Sequence, residues 1–188
     1  MLEELKNCKR YTIEELRKNN YEQVKNTNSN LVYFVETPKN FKVEFTNKTT
    51  AHKLKQAGNS KGKNALYELA DLLNRYNQSD KKILYIGKGE RKNNDGYKRL
   101  IQYLEYGKGV SKPHDGGRSI WQIKNNNQLN VFFIPCQNAT FYENELIEQY
   151  KKENHGCKPM ANIVDGSSKA TKSACKNCPG LNKCSINK

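Results

Sequence analysis

The sequence has no long hydrophobic run. Only 35% of its 188 residues are hydrophobic, and the mean hydropathy is -0.98. A membrane-spanning helix needs ~20 consecutive apolar residues, and no stretch approaches that length. The first ten residues carry charges without an apolar segment behind them, so we expect no secretory leader. These absences predict a cytoplasmic protein without a membrane partner, long enough to bury the core of one domain.

Acidic residues are scarce relative to basic ones. The chain has 19 Asp and Glu against 33 Lys and Arg, which gives a formal net charge of +14. Such an excess indicates a polyanionic partner, most often nucleic acid, although a basic surface without such a partner gives the same count. The 11 tyrosines suit base stacking, a tyrosine-based active site or an ordinary core.

The apolar pattern predicts one α/β (α+β) domain with two appendages. Residues 1–29 form a helical extension, 30–164 the main domain, and 165–188 a cysteine-rich tail. Short runs of β-forming residues predict strands, and apolar stripes at helical spacing predict helices. Strands are expected at 31–35, 41–45, 83–86 and 129–134, and helices at 12–19, 64–76, 95–106 and 140–153.

Several residues in this layout could take part in catalysis or binding. Tyr33 and Tyr85 lie on predicted strands, and the second strand runs into Gly87-Lys88-Gly89, where glycines allow a tight turn and a lysine can meet a phosphate. Arg99 and Tyr103 share one face of a predicted helix because they are four residues apart. Glu143 stands near the start of the last helix.

The order of these motifs resembles the GIY-YIG nuclease superfamily. Leu31-Val32-Tyr33 stands in the place of the GIY segment, and Tyr85-Ile86-Gly87-Lys88 in that of the YIG segment with its basic residue. Arg99 and Tyr103 match the conserved positions of the following helix. The resemblance then runs through the acidic motif at 143–147 to a terminal asparagine, Asn162.

A compact bacterial subgroup of that superfamily is closer still. It carries a segment similar to His114-Asp-Gly-Gly-Arg118-Ser-Ile-Trp-Gln122 and a motif similar to Pro159-Met-Ala-Asn162. The resemblance spans roughly residues 30 to 163. It implies a small central antiparallel three-stranded sheet flanked by helices. The chain departs from the family in having Leu31 for the first glycine, and in an insertion at 37–82 with a strand and a helix of its own.

The resemblance also implies an activity, which is metal-dependent endonuclease cleavage of DNA. Glu143 would hold one Mg²⁺ or Mn²⁺. Tyr33 is the expected general base and Tyr85 the alternative. Arg99 would brace the scissile phosphate. Supporting roles fall to Tyr103 and Asn162, which would orient these groups, and to Lys88, His114 and Arg118, which would contact substrate.

Each of these residues also has a plainer interpretation. Thr140 and Glu143 have the spacing of a helix capping box. Tyr33 and Tyr85 could be core tyrosines, and Arg99 could pair with a surface acid. Lys88, His114 and Arg118 could belong to solvated loops and turns. The corresponding second function is a non-catalytic nucleic-acid-binding module that retains the fold.

The cysteines of the tail form a separate motif. Cys175, Cys178 and Cys184 have the spacing C-x2-C-x5-C, which favours metal over a disulfide in a cytosolic chain. Zn²⁺ is the preferred interpretation. An iron–sulfur cluster and unligated cysteines are the alternatives. A closed site needs a fourth ligand, for which Cys157, His155 and Cys8 are candidates.

Overall fold

The computed structural model describes residues 4–49, 51, 66–110 and 116–163. Within these ranges the chain forms four β-strands and five α-helices. The strands are β1 (Tyr11–Thr12), β2 (Leu31–Glu36), β3 (Ile83–Gly89) and β4 (Asn130–Pro135). The helices are α1 (Ile13–Lys18), α2 (Glu22–Lys25), α3 (Leu69–Gln78), α4 (Tyr97–Gly107) and α5 (Ala139–Glu153). Short 3₁₀ helices lie at Glu4–Asn7, Arg118–Gln122 and Asn126–Gln128.

The strands form one antiparallel sheet in the order β1-β4-β2-β3. The α+β class is therefore confirmed, but the expected three-stranded sheet is wrong. The fourth strand is β1, in which Tyr11 pairs with Val131 of β4. A two-residue strand is too short to show an alternating pattern. It forms because the outer edge of β4 offers backbone groups that need partners.

The sheet separates two buried clusters because successive side chains of a strand point to opposite faces. Leu31, Tyr33 and Val35 of β2 belong to the cluster that includes residues of α1 and α4. Val32 and Phe34 belong to the other cluster, which α5 covers with its buried residues Tyr142, Leu146, Ile147 and Tyr150. Tyr33 stands opposite Gly87 on one side and Phe133 on the other.

Local signals explain where α1 begins and where α4 ends. The Thr12 hydroxyl accepts a hydrogen bond from Glu15 N, and the Glu15 carboxylate accepts one from Thr12 N, so a capping box begins α1. Helix α4 ends at Gly107, where a Cβ atom would lie 2.4 Å from the ring of Trp121. Trp121 is fully buried, as expected of a core anchor.

The insertion is less regular than its sequence suggests. Instead of the strand predicted at 41–45, the structure has an isolated bridge between Phe45 and Ile123. The alternating residues of this segment still pack partly against the core, but no neighbouring strand extends the pairing within the described ranges. The predicted helix begins later than expected, at Leu69. None of the helices in the described part of the chain has the length and apolar content needed to cross a membrane.

Candidate active site

Three tyrosines from three elements meet on one face of the sheet. Tyr33 comes from β2, Tyr85 from β3 and Tyr103 from α4. The ring centroids are 5.9 Å apart for Tyr33 and Tyr85, 5.7 Å for Tyr33 and Tyr103, and 5.6 Å for Tyr85 and Tyr103. All three side chains are buried. The structure therefore brings together the tyrosines that the sequence analysis selected.

Two glycines make room for this cluster. A Cβ atom on Gly87 would lie 2.7 Å from Cζ and 2.8 Å from the hydroxyl of Tyr33. Gly117 has a φ of +65°, and a Cβ atom there would lie 2.7 Å from Cε1 of Tyr85 and 2.9 Å from the hydroxyl of Tyr103. Gly87 was expected in a turn, but it lies within β3, which extends to Gly89. Both positions require glycine because tyrosine rings occupy the space of a side chain.

The hydroxyl groups of the cluster have different surroundings. Tyr103 donates a hydrogen bond of 3.0 Å to the carbonyl oxygen of Gly117. The hydroxyl of Tyr33 is buried and forms no hydrogen bond of ordinary geometry with the residues that the structure describes, but its proximity to Tyr85 opposes the rise that burial causes in the pKa of Tyr85. Burial raises the pKa of Tyr33, Tyr85 and Tyr103 above the ordinary value of a phenol. The charge of Glu143 raises the pKa of Tyr33 and Tyr85 further, whereas Arg99 lowers both.

Glu143 forms an ion pair across the sheet–helix interface. Its Oε2 lies 3.1 Å from Nζ of Lys88, and the two side chains are 12% and 24% exposed respectively. Burial raises the pKa of Glu143, Lys88 opposes that rise, and the nearby carboxylate of Glu90 adds to it. Lys88 is thus partly buried against an acid, and the interpretation of it as a solvated loop lysine is wrong.

The helix-cap interpretation of Glu143 is also wrong. The N-cap of α5 is Asn138, whose side chain accepts a hydrogen bond from Phe141 N. The backbone N–H of Thr140 donates instead to Glu90. Since these two side chains satisfy the first turn, Glu143 lies inside the helix with its carboxylate available for other contacts.

Arg99 lies beside the tyrosine cluster without a carboxylate partner in the described part of the chain. Its Nη1 donates a hydrogen bond of 2.8 Å to Oε1 of Gln102. The expected alternative, pairing with a surface acid, is absent there. A guanidinium that keeps several N–H donors uncommitted is suited to an anionic ligand.

Asn162 fixes β3 from its outer edge. Its Oδ1 accepts a hydrogen bond of 2.9 Å from Ile86 N, and its Nδ2 donates one of 2.8 Å to Ile86 O. Ala161 N donates to the carbonyl oxygen of Leu84 at 2.8 Å. Asn162 therefore acts as the pairing partner that β3 lacks, directly between Tyr85 and Gly87. The role of Asn162 in orienting catalytic groups stays a prediction.

Some neighbouring residues have no signature in the sequence. Asn30 accepts hydrogen bonds of 3.0 Å from both Arg91 N and Gly96 N, and so holds the segment that joins β3 to α4. Tyr67 accepts a hydrogen bond of 3.0 Å from Nη2 of Arg118. The predicted contact residue His114 and the three tail cysteines lie outside the described residues.

A divalent metal ion is the cofactor that the sequence analysis implies. No group of three or more His, Cys, Asp and Glu side chains suited to a metal ion occurs among the residues that the structure describes. Mg²⁺, however, keeps several water ligands and needs only one or two protein carboxylates. Glu143 fits such an ion as a single protein ligand, because its partly exposed carboxylate already lies against a cation.

Comparisons with known proteins add no relative. No family model matches the chain, and neither does any curated protein or solved structure.

Proposed function

We propose that this protein is a metal-dependent endonuclease of the GIY-YIG type that hydrolyses phosphodiester bonds in DNA. The observation that supports the proposal is the meeting of three tyrosines from three elements beside Arg99. Tyr33, Tyr85 and Tyr103 are in ring contact. Arg99 and Glu143 are near enough for their charges to act on Tyr33 and Tyr85, and Glu143 does so from α5, which packs on the other face of the sheet.

The proposed reaction needs an activated water, a stabilised phosphate and a neutralised leaving oxygen. Glu143 would hold one Mg²⁺ or Mn²⁺, which would supply charge neutralisation at the phosphate and the leaving oxygen. Arg99 braces the phosphate with the donors that it does not commit to Gln102. Tyr103, held by Gly117, and Asn162, held by Ile86, keep the reacting groups in place.

Tyr33 is the proposed general base, and Tyr85 is the alternative. The base would be the phenolate form of Tyr33, whose oxygen can take a proton from water. Burial is the main cause of the raised pKa of Tyr33, which disfavours the phenolate, and the negative charge of Glu143 adds a smaller rise. When Glu143 pairs with a cation, this contribution is reduced, and Arg99 continues to favour the phenolate.

Lys88 has a place in the same scheme. In the ion pair it neutralises Glu143 while both side chains are largely shielded from water. A substrate phosphate offers Lys88 a second anionic partner, and its movement toward that phosphate would expose Glu143. Lys88 therefore belongs to the substrate-binding set of the proposed site.

DNA is the proposed partner. The net charge of +14 suits a phosphate backbone. The proposed location is the cytoplasm.

A nicking assay tests this function. Supercoiled plasmid is incubated with the protein and Mg²⁺ or Mn²⁺, and parallel samples contain EDTA or the Glu143→Gln variant. We expect nicked plasmid only with the wild-type protein and a divalent metal. If the protein binds DNA but does not nick it with either metal, it is the non-catalytic nucleic-acid-binding module instead.

A further inference from the structure

Arg118 carries hydrogen-bond donors that the described part of the chain does not use. Its Nη2 donates to the hydroxyl of Tyr67 at 3.0 Å. Its Nε and Nη1 are buried and have no hydrogen-bond partner among the residues that the structure describes. Burying charged donors without acceptors is costly, so such a group is unexpected unless another molecule completes its hydrogen bonds.

A second guanidinium lies on the same tyrosine. Cζ of Arg75 is 4.7 Å from the centroid of the Tyr67 ring, and Cζ of Arg118 is 5.4 Å from it. Arg75 donates only to backbone carbonyl oxygens, that of Asp71 at 3.4 Å and that of Met160 at 3.3 Å. Burial lowers the pKa of Arg75. Within the described ranges neither arginine forms an ion pair with a carboxylate.

This group is adjacent to the candidate active site. Arg118 directly follows Gly117, which contacts Tyr85 and accepts the hydrogen bond of Tyr103. Met160, which binds Arg75 through its carbonyl oxygen, precedes the segment that pairs with β3. Tyr67 and Arg75 come from the insertion, so the insertion contributes directly to the surroundings of the tyrosine cluster.

We propose that Arg75, Tyr67 and Arg118 form a phosphate subsite that binds a backbone phosphate of DNA next to the scissile one. Among the described residues neither cation forms an ion pair, although the carboxylate of Asp71 acts on Arg75 from a greater distance. Two such cations favour an anion, and planar guanidinium groups match the oxygen geometry of a phosphate. Tyr67 holds both groups through its ring and its hydroxyl. The subsite rests on the proposed function for its ligand, and it assigns to the insertion a role in positioning the DNA strand.

Salt-dependent DNA binding tests the subsite. Affinity for a short duplex is measured over a range of salt concentrations for the wild-type protein, Arg75→Gln and Arg118→Gln. Lys152→Gln is the matched control, because Lys152 is an exposed base on α5. Each phosphate contact contributes about 0.9 to the slope of log affinity against log salt. Because both arginines bind the same phosphate, we expect each arginine variant to lower that slope by up to this amount and to lose affinity mainly at low salt.

The Lys152→Gln control distinguishes the loss of a specific phosphate contact from the loss of one unit of net charge. Lys152→Gln removes the same charge from the total, so it should leave the slope close to that of the wild-type protein. Arg118→Lys provides a second test if a glutamine variant fails to fold. It retains the charge but not the planar fork, and it should keep most of the slope while binding DNA more weakly than the wild-type protein.

The outcomes distinguish the subsite from the proposed function. If the arginine variants melt at lower temperature but keep the wild-type slope, the two arginines only pack on Tyr67 and the subsite is wrong, even if the wild-type protein nicks plasmid. If the slope falls in the arginine variants while the wild-type protein never nicks DNA, the subsite stands and the endonuclease does not.

Discussion

Lys88 on β3 and Glu143 on α5 form an ion pair of 3.1 Å that joins the sheet to the helix on the face opposite the tyrosine cluster. The two residues were selected from the sequence for separate reasons, one as a phosphate contact and the other as a metal ligand. Their pairing means that a metal ion bound by Glu143, as proposed, would have to share or displace the contact with Lys88. It also means that replacing Lys88 changes the pKa of Glu143, which burial raises and Lys88 lowers.

Glu143→Gln should abolish cleavage and leave the fold intact. The amide lacks the charge that holds a hard dication. Because burial raises the folded-state pKa of Glu143, the ionised carboxylate disfavours folding at neutral pH. Its removal, however, also takes away the ion-pair partner of Lys88. These two effects oppose each other, so the melting temperature should stay close to that of the wild-type protein. Plasmid nicking and thermal melting measure the two effects. Near-normal nicking by this variant would overturn the role of Glu143 as metal ligand.

Tyr33→Phe should lose cleavage without losing stability. The Tyr33 hydroxyl is buried and forms no hydrogen bond of ordinary geometry with the described residues, so its removal deletes at most the weak contact with Tyr85 and relieves a desolvation cost. Tyr103→Phe is the matched control, because it deletes the hydrogen bond to Gly117 and should lower the free energy of unfolding by roughly 0.5–1.5 kcal/mol. Denaturant unfolding and nicking rates distinguish the two variants. Full activity in Tyr33→Phe would transfer the role of base to Tyr85.

The nicking rate should depend on pH in both the acid and the alkaline part of the pH range. The raised pKa of Glu143 places the loss of activity in acid at a higher pH than for an ordinary glutamate, because protonated Glu143 does not hold metal. The raised pKa of Tyr33 keeps the phenolate rare at neutral pH, so the rate should still rise toward alkaline pH. Lys88 lowers the pKa of Glu143, and Lys88→Gln should therefore shift the acid midpoint upward. A midpoint that stays in place would contradict this electrostatic coupling.

Asn162 should affect stability and activity together. Asn162→Asp keeps the acceptor for Ile86 N but removes the donor to Ile86 O, and it places a carboxylate in a buried position. We expect a lower melting temperature and slower nicking. The melting temperature, relative to that of the wild-type protein, should be partly restored at acid pH, where a protonated carboxyl group can donate again. A variant with normal stability and no activity would instead place Asn162 in direct contact with substrate.

The metal content of the purified protein tests whether the tail cysteines form a metal site. If Cys175, Cys178 and Cys184 belong to a closed site, the purified protein should carry about one zinc ion or the absorbance of an iron–sulfur cluster. Removing the metal with a chelator should make all three thiols reactive toward a thiol reagent. Rapid reaction of the three thiols in the untreated, metal-free protein would show that they are unligated.

The sequence by itself determined the local features of this protein. The capping box of Thr12 and Glu15, the strand at β2 and the buried faces of α4 and α5 follow from residues a few positions apart, because backbone preference and apolar periodicity act over that range. The same local signals failed at 41–45, where alternation was present but the pairing in the described structure is limited to one bridge at Phe45.

Only the tertiary structure decided which of these residues meet. Strand β1 forms because β4 has an open edge, Glu143 pairs with Lys88 rather than capping α5, and Asn162 completes the edge of β3. The cluster of Tyr67 with two arginines likewise joins segments that are distant in sequence. Such contacts depend on which backbone edges remain unpaired and which charges lose water on folding, and neither quantity is encoded in a short stretch of sequence.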